Sequence, residues 1–141
     1  MDTQKKTALT VETSVKAPVS KVWEFWNKPE HITKWATASD EWHTPRAEND
    51  LRVGGKFNNR MEAKDGSMGF DFGGVYDVVT ANEYIEYSLS DGRKVIVIFK
   101  SDGDQTTITE TFDAETQNSL EMQQAGWQAI LNNFKAYVES N

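Results

Sequence analysis

A helical stripe of large apolar side chains near the C-terminus constrains the fold of this chain most strongly. Trp127, Ile130, Leu131, Phe134 and Val138 recur with the 3.6-residue period of one face of an α-helix. A helix from about 118 to 139 would be roughly 33 Å long, at 1.5 Å per residue. A rod of that length must bury its apolar face against another large element, which favours a sheet that it can cross.

The start of this helix has the spacing of a capping box. Glu121 follows Asn118 by three residues, with asparagine in place of the usual serine or threonine. Leu120 joins the apolar stripe upstream. We therefore predict that Asn118 caps the helix.

Residues 42–113 have the sequence pattern of strands joined by tight turns. Apolar and polar residues alternate, and the turn sequences at 64–67, 90–92 and 102–104 are short enough for hairpins between antiparallel neighbours. Residues 95–99 are apolar at every position, which predicts a strand covered on both faces. A further strand at 7–16 precedes two short helices, at 19–27 and from Pro29. The concave face of this meander is the only large surface predicted to receive the C-terminal helix.

Composition excludes several classes of partner. The net charge is −7, with fifteen basic residues scattered among twenty-two acidic ones, so neither nucleic acid nor an anionic membrane surface is an expected partner. The chain has no cysteine and no apolar run long enough for a spanning helix or a signal peptide, which fits a cytoplasmic location. Five Trp, four Tyr and seven Phe suit a wide core or a ligand cavity.

Four sequence motifs carry a family resemblance. They are APVSKVW at 17–23, PEHITKW at 29–35, DLRVGGKF at 50–57 and the late pair Gly126-Trp127. With the order of elements, they resemble the START/Bet v 1-like (SRPBCC) superfamily, and the last two are similar to its branch named for the activator of the heat-shock protein 90 ATPase. The resemblance implies an α+β helix-grip fold, in which a curved antiparallel sheet wraps around a long C-terminal helix. It also implies one SRPBCC-like domain over residues 1–141, with an ordered core at about 7–139.

One segment departs from this pattern. Many members of the branch follow the second-helix tryptophan with another aromatic residue and a glycine-proline pair, whereas Trp35 here leads into ATASDE at 36–41. We therefore expect the entrance to the pocket to differ from that of the family.

A ligand pocket is predicted between the sheet and the helix. Alternation along the strands selects the inward side chains, although a single bulge would invert part of that choice. The alternative is that these side chains simply fill the core. Asn59, Tyr76 and Tyr87 could orient a ligand by hydrogen bonds. The predicted ligand-binding residues are Phe57, Asn59, Met61, Phe72, Tyr76, Tyr87, Val97, Phe99 and Ile108 from strands, and Trp127, Ile130, Leu131 and Phe134 from the helix.

Candidates for catalysis and metal binding are weak. His31 and His43 are the side chains whose ordinary pKa lies near neutrality, and both are expected at the surface. Asp40 and Glu41 with His43 match no metal-binding motif. We predict no catalytic residue, no metal and no cofactor.

The acidic residues of the strand region show no catalytic pairing. Glu62, Asp65, Asp71, Asp77 and Glu110 lie in or beside strands and are expected to belong mostly to the polar, solvent-facing alternation. They therefore give no indication of a pair of catalytic carboxylates.

The sequence thus favours a non-catalytic module that binds a small apolar or amphipathic molecule. One alternative, implied by the family resemblance, is a protein-interaction module such as a chaperone ATPase regulator. A second is a cyclase- or hydrolase-like enzyme, which would need His31, His43 or a buried carboxylate inside the pocket. The sequence makes no prediction of the ligand, the partner or the oligomeric state.

Overall fold

The structure is a computed structural model that describes residues 7–141. Residues 1–6, for which the sequence predicts no signal peptide, lie outside the described part. Two short helices follow the first strand, and six further strands precede the long helix, as predicted. The elements are β1 (Ala8–Val15), α1 (Val19–Asn27), α2 (Pro29–Trp35), β2 (Trp42–Asn49), β3 (Lys56–Ala63), β4 (Gly69–Thr80), β5 (Tyr84–Leu89), β6 (Lys94–Asp102), β7 (Gln105–Asp113) and α3 (Leu120–Ser140).

The strands form one antiparallel sheet of seven strands in the order β1-β7-β6-β5-β4-β3-β2. Strands β2 to β7 run as a meander of hairpins, and β1 pairs with β7 along its whole length, from Ala8 opposite Asp113 to Val15 opposite Thr106. The sheet curls around α3, which confirms the helix-grip fold. Gly74 in β4 permits the close packing of neighbouring strands, because a Cβ there would collide with the Ser88 carbonyl and crowd the Phe57 ring.

The long helix begins one residue later than the capping-box spacing predicts. Ser119 is the N-cap, and its hydroxyl accepts a hydrogen bond from the Met122 N–H at 3.1 Å. Asn118 instead donates its side-chain amide to Glu115 in the preceding loop. The prediction of Asn118 as the cap was therefore wrong, because serine supplies the same acceptor one position closer to the helix. Leu120 remains largely exposed instead of joining the buried stripe.

Strand β6 is covered on one face. Val95, Val97 and Phe99 are buried beneath the helices, whereas Ile98 is 43% exposed on the opposite side. The prediction of a strand covered on both faces was wrong, because no element packs on the outer surface of β6 within residues 7–141.

A bulge in β4 changes which side chains point inward. The pairing with β5 slips between Tyr76 and Val78, so that Val79 lies opposite Ile85. Val78 is therefore on the exposed side and Val79 packs against the core, which inverts the alternation after Tyr76.

The C-terminal half of α3 packs tightly in the core. Leu131, Phe134 and Val138 are fully buried. Its N-terminal half, by contrast, borders a cavity. Within residues 7–141, no helix is long and apolar enough to cross a membrane.

Candidate ligand-binding cavity

A cavity of about 420 Å³ lies between the sheet and the N-terminal half of α3. Helix α3 contributes Met122, Gln123, Gly126, Trp127 and Ile130. The other lining residues are Trp26, Asn27, Ile32, Trp35, Ala36 and Ala38 from the helices and the loop after them, Asn49, Phe57, Asn59, Met61, Phe70, Phe72, Tyr76, Ile85, Tyr87, Arg93 and Glu110 from the sheet and its turns, and Glu115 and Asn118 from the loop before α3.

The structure divides the predicted pocket residues between this cavity and the packed core. Those that line the cavity are Phe57, Asn59, Met61, Phe72, Tyr76, Tyr87, Trp127 and Ile130. Those that lie in the core away from it are Val97, Phe99, Ile108, Leu131 and Phe134. The division arises because helices α1 and α2 and the end of α3 pack against the core at one end of the curled sheet.

Aromatic rings form the walls of the cavity. The Phe57 ring lies 4.8 Å from Tyr87, 5.3 Å from Tyr76 and 6.1 Å from Phe72, measured between centroids. Trp127 faces Phe72 from the helix at 6.0 Å, in an edge-on arrangement. These rings pack against one another, so the surface of the cavity is aromatic and largely apolar.

A tryptophan cluster lies at the inner end of the cavity. Trp26 and Trp35 meet Phe134 edge-on at centroid distances of 4.9 and 4.8 Å, and the two indoles lie 5.0 Å apart. The Trp35 indole N–H donates to the Phe25 carbonyl at 3.0 Å, which satisfies its polar atom. The two indoles therefore form the boundary between the cavity and the packed core.

Exposed apolar side chains mark the mouth. Phe70 is 49% exposed and Met122 is 62% exposed, yet both line the cavity. Ala38, in the segment that departs from the family pattern, is a further exposed lining residue. The mouth therefore lies between the start of β4, the first turn of α3 and the loop after α2.

Hydrogen bonds hold the loop between β7 and α3 beside this mouth. The buried Gln123 amide accepts from the Glu115 N–H at 2.8 Å and donates to the Glu115 and Asn118 carbonyls at 3.0 and 2.9 Å. The N–H groups of Asn118 and Gln117 donate to the Glu115 carboxylate, which lowers its pKa. These bonds fix the shape of the rim near the start of α3.

Tyr76 and Asn49, two polar residues of the cavity wall, form hydrogen bonds within the protein. The Tyr76 hydroxyl donates to Asn49 Oδ1, and the Asn49 amide donates to the Asn27 carbonyl at 2.6 Å. Burial raises the pKa of Tyr76, so its hydroxyl stays a neutral donor. Tyr76, Asn49 and Asn27 therefore link the sheet to the end of α1.

Glu110 corrects the prediction of solvent-facing carboxylates. This side chain is only 7% exposed and lines the cavity from the middle of β7. Burial raises its pKa to about 8, because an apolar environment disfavours the ionised form. Its period-2 register with the buried Ile108 and Phe112 is the sequence signal that places it on the inner face.

Tyr87 and Asn59 also present polar atoms without partners. Among residues 7–141, Asn59 Oδ1 is a fully enclosed polar atom with no partner. The Tyr87 hydroxyl and the Glu110 carboxyl line the cavity and make no hydrogen bond to another described residue. Burial raises the pKa of Tyr87 well above its usual value, with a smaller contribution from the nearby Glu110. The cavity thus combines apolar walls with a few unpartnered polar groups.

The histidines lie outside the cavity. His31 stacks on Phe25 at 3.9 Å, and its Nδ1 is 2.7 Å from the Tyr137 hydroxyl. His43 is exposed, with Nε2 3.8 Å from a Glu62 carboxylate oxygen. Among residues 7–141, no three histidine or acidic side chains are grouped to hold a metal ion.

The remaining acidic side chains of the strand region also lie away from the cavity. Glu62 and Asp71 bracket Arg60 at 2.9 and 3.7 Å, and the Arg60 hydrogen bond lowers the pKa of Glu62. Asp65 accepts from the Ser67 N–H in a turn, and Asp77 accepts from the Ser88 hydroxyl at 2.6 Å.

Comparisons with known proteins agree with this architecture. The sequence pattern of the family described as Activator of Hsp90 ATPase homolog 1-like protein matches residues 16–139. The AHSA1-like protein from Aeromonas hydrophila is 46% identical, over 95% of this chain and 93% of that one, with a TM-score of 0.89. A protein from Cytophaga hutchinsonii is 59% identical, over 94% and 92% of the two chains, with a TM-score of 0.81. No curated protein matches the chain.

Proposed function

The chain belongs to the Activator of Hsp90 ATPase homolog 1-like family, and we propose that it binds a small apolar or amphipathic molecule in the cavity beneath α3. The observation that carries this proposal is the cavity itself. Its aromatic walls extend from an exposed mouth at Phe70 and Met122 to the tryptophan cluster at its inner end. A concave, mostly apolar site with a few polar groups is typical of small-molecule binding.

The size of the cavity is sufficient for useful affinity. A ligand that removes about 300 Å² of apolar surface from water gains about 7 kcal/mol, at roughly 25 cal/mol per Å². Part of that gain is lost to the ordering of the ligand. Micromolar binding corresponds to about 8 kcal/mol. A purely apolar probe is therefore expected to bind more weakly than that, and hydrogen bonds would strengthen the binding.

Gly126 provides a direct way to block the cavity. It lies in α3 and lines the cavity, and a Cβ at this position would meet no atom within 4 Å. Replacing glycine by alanine or leucine inside a helix favours helix formation by up to about 1 kcal/mol. The variants Gly126→Leu and Gly126→Ala therefore differ mainly in how much of the cavity they fill.

We propose titrating 2-ethylnaphthalene into both variants and the unmodified protein, with calorimetric detection. Gly126→Leu is expected to weaken binding at least tenfold, whereas Gly126→Ala leaves it within about twofold. Equal binding by all three proteins, or no binding by any, would contradict the proposal. Native mass spectrometry and solvent extraction of the purified protein would then identify any retained ligand.

The protein-interaction alternative predicts a different outcome. The exposed apolar side chains Val53, Val78 and Ile98 belong to separate elements of the sheet and its loops, away from the cavity. Stimulation of a chaperone ATPase that persists in Gly126→Leu would favour an interaction module. Loss of stimulation in that variant would connect any such activity to the cavity.

One group that an acid–base enzyme would require lies in the cavity. Glu110 is a buried carboxyl inside the cavity, whereas both histidines lie elsewhere. An acid–base reaction in this cavity would have to use Glu110 with Tyr87, the nearby phenol. Because the Glu110 carboxyl is kept neutral near pH 7, it is better suited to donating a hydrogen bond than to removing a proton.

A further inference from the structure

Three polar side chains of the cavity wall, Glu110, Tyr87 and Asn59, have no hydrogen-bond partner among residues 7–141. The enclosed Asn59 Oδ1 is an acceptor, whereas Glu110 and Tyr87 can each donate from an O–H group. Polar side chains of the wall that do have partners include Gln123, Tyr76 and Asn49. Buried polar groups are almost always hydrogen-bonded, and leaving a donor unpaired costs about 1–3 kcal/mol. Glu110 and Tyr87 face the same cavity and are therefore free to donate hydrogen bonds to a molecule that enters it.

The sheet brings the two side chains together. Glu110 lies opposite Val97 of β6, and Tyr87 lies opposite Val95 of the same strand, so β6 separates them. Strands are about 4.8 Å apart and rise about 3.3 Å per residue. Tyr87 is shifted by two residues from Ile85, which lies in line with Glu110 across β6, so the two Cα atoms are about 12 Å apart on the same inner face. Both side chains line the cavity, and the Glu110 charge is close enough to raise the pKa of Tyr87.

Both groups carry a proton near neutral pH. Burial raises the pKa of Glu110 to about 8 and that of Tyr87 well above its usual value. The elements around Glu110 supply no cation, because its partners Val11 and Val97 are apolar and the α3 lining residues are uncharged. The charged lining residues, Arg93 and Glu115, lie in the turn before β6 and the loop before α3.

We propose that Glu110 and Tyr87 form a two-donor site that binds a carbonyl oxygen of the ligand. This inference rests on the proposed function, since it requires a ligand in the cavity. A carbonyl oxygen has two lone pairs and can accept from the acid O–H and the phenol O–H at once. A protonated amine fits poorly, because it would need the Glu110 carboxyl to ionise in an apolar environment.

Three probes of similar shape separate the alternatives. These are 2-acetylnaphthalene, 2-ethylnaphthalene and 1-(2-naphthyl)ethylamine, which present a carbonyl, a hydrocarbon and a cation on the same ring system. At pH 6.5 the ketone is expected to bind at least tenfold more tightly than the hydrocarbon, and the amine more weakly than either. The bound ketone is also expected to show a C=O stretch at lower wavenumber than in hexane, because hydrogen bonding weakens that bond.

Variants then assign the effect to the two residues. Glu110→Gln keeps a neutral donor and should retain most of the ketone preference, whereas Glu110→Leu and Tyr87→Phe should each reduce it at least threefold and diminish the infrared shift. The controls are Glu48→Leu, an exposed carboxylate on β2, and Tyr84→Phe, a tyrosine on the outer side of β5. Both controls should leave the ketone preference and the infrared shift unchanged.

The outcomes distinguish this inference from the proposed function. Binding of ketone and hydrocarbon with equal affinity, with no infrared shift in the unmodified protein, would overturn the two-donor site and leave the cavity's role intact. Preferential binding of the amine would overturn it as well, and so would a ketone preference that survives both Glu110→Leu and Tyr87→Phe. Failure of all three probes to bind would contradict both proposals.

Discussion

The indole of Trp127 stacks on the ring of Phe112, with centroids 3.9 Å apart and planes 7° from parallel. This contact fixes the N-terminal half of α3 to β7 at one side of the sheet. Across the cavity, the same indole is 6.0 Å from Phe72. Trp127 thus both anchors the helix and forms one wall of the space that the helix leaves open.

Removing this anchor should destabilise the protein and loosen the cavity. We expect Trp127→Ala to lower the free energy of unfolding by about 3 kcal/mol, because a large aromatic contact is lost and little can collapse into its place. Urea denaturation measures the effect. The control is Trp42→Ala, because the Trp42 indole contacts the ring of the exposed Phe70. This variant should lose less than half as much unfolding free energy. Equal losses would show that Trp127 is not an anchor.

Glu110 should make stability depend on pH. Its pKa is raised to about 8 in the folded protein, whereas the unfolded chain has the ordinary value near 4.5. Between these values the folded state holds a proton that the unfolded state releases, so stability falls as pH rises, by up to about 1.4 kcal/mol per pH unit. The fall should end above about pH 8, where both states are ionised.

Glu110→Gln should remove this component. The difference in unfolding free energy between the variant and the unmodified protein is expected to grow in the variant's favour from pH 5 to pH 8. Chemical denaturation at several pH values measures it, with the exposed Glu48→Gln as the matched control. A constant difference over that range would mean that Glu110 does not hold its proton in the folded state.

The helix cap provides a third prediction. Ser119→Ala should lower the free energy of unfolding by about 1 kcal/mol, because the Met122 N–H loses its acceptor at the start of α3. Asn118→Ala removes an exposed hydrogen bond to Glu115 and should cost less. Thermal denaturation of both variants ranks them, and a larger loss for Asn118→Ala would restore the cap that the sequence spacing suggested.

The architecture was predictable because its strongest signals are long and periodic. The stripe from Trp127 to Val138 needs a sheet to cover it, and the short turns allow only hairpin neighbours. Finer details depended on single residues. Ser119 displaced Asn118 as the cap, and the outer face of Ile98 stayed exposed because nothing in the described chain packs on it.

The cavity was harder to predict because alternation identifies an inner face without showing what fills it. Val97 and Leu131 point inward as expected, but neighbouring helices pack against them instead of leaving space. The prediction that Glu110 belongs to the polar, solvent-facing alternation is wrong, because its register with Ile108 and Phe112 places it inside. At that position, the sheet pattern outweighed the usual preference of a carboxylate for water.

The proposed function requires a small molecule to occupy the space beside Trp127, and intermolecular nuclear Overhauser effects test that occupancy directly. In labelled protein mixed with 2-ethylnaphthalene, we predict contacts from the probe to Phe72, Trp127 and Ile130. Contacts confined to exposed side chains such as Val53 or Ile98, or no contacts at saturating probe, would contradict it.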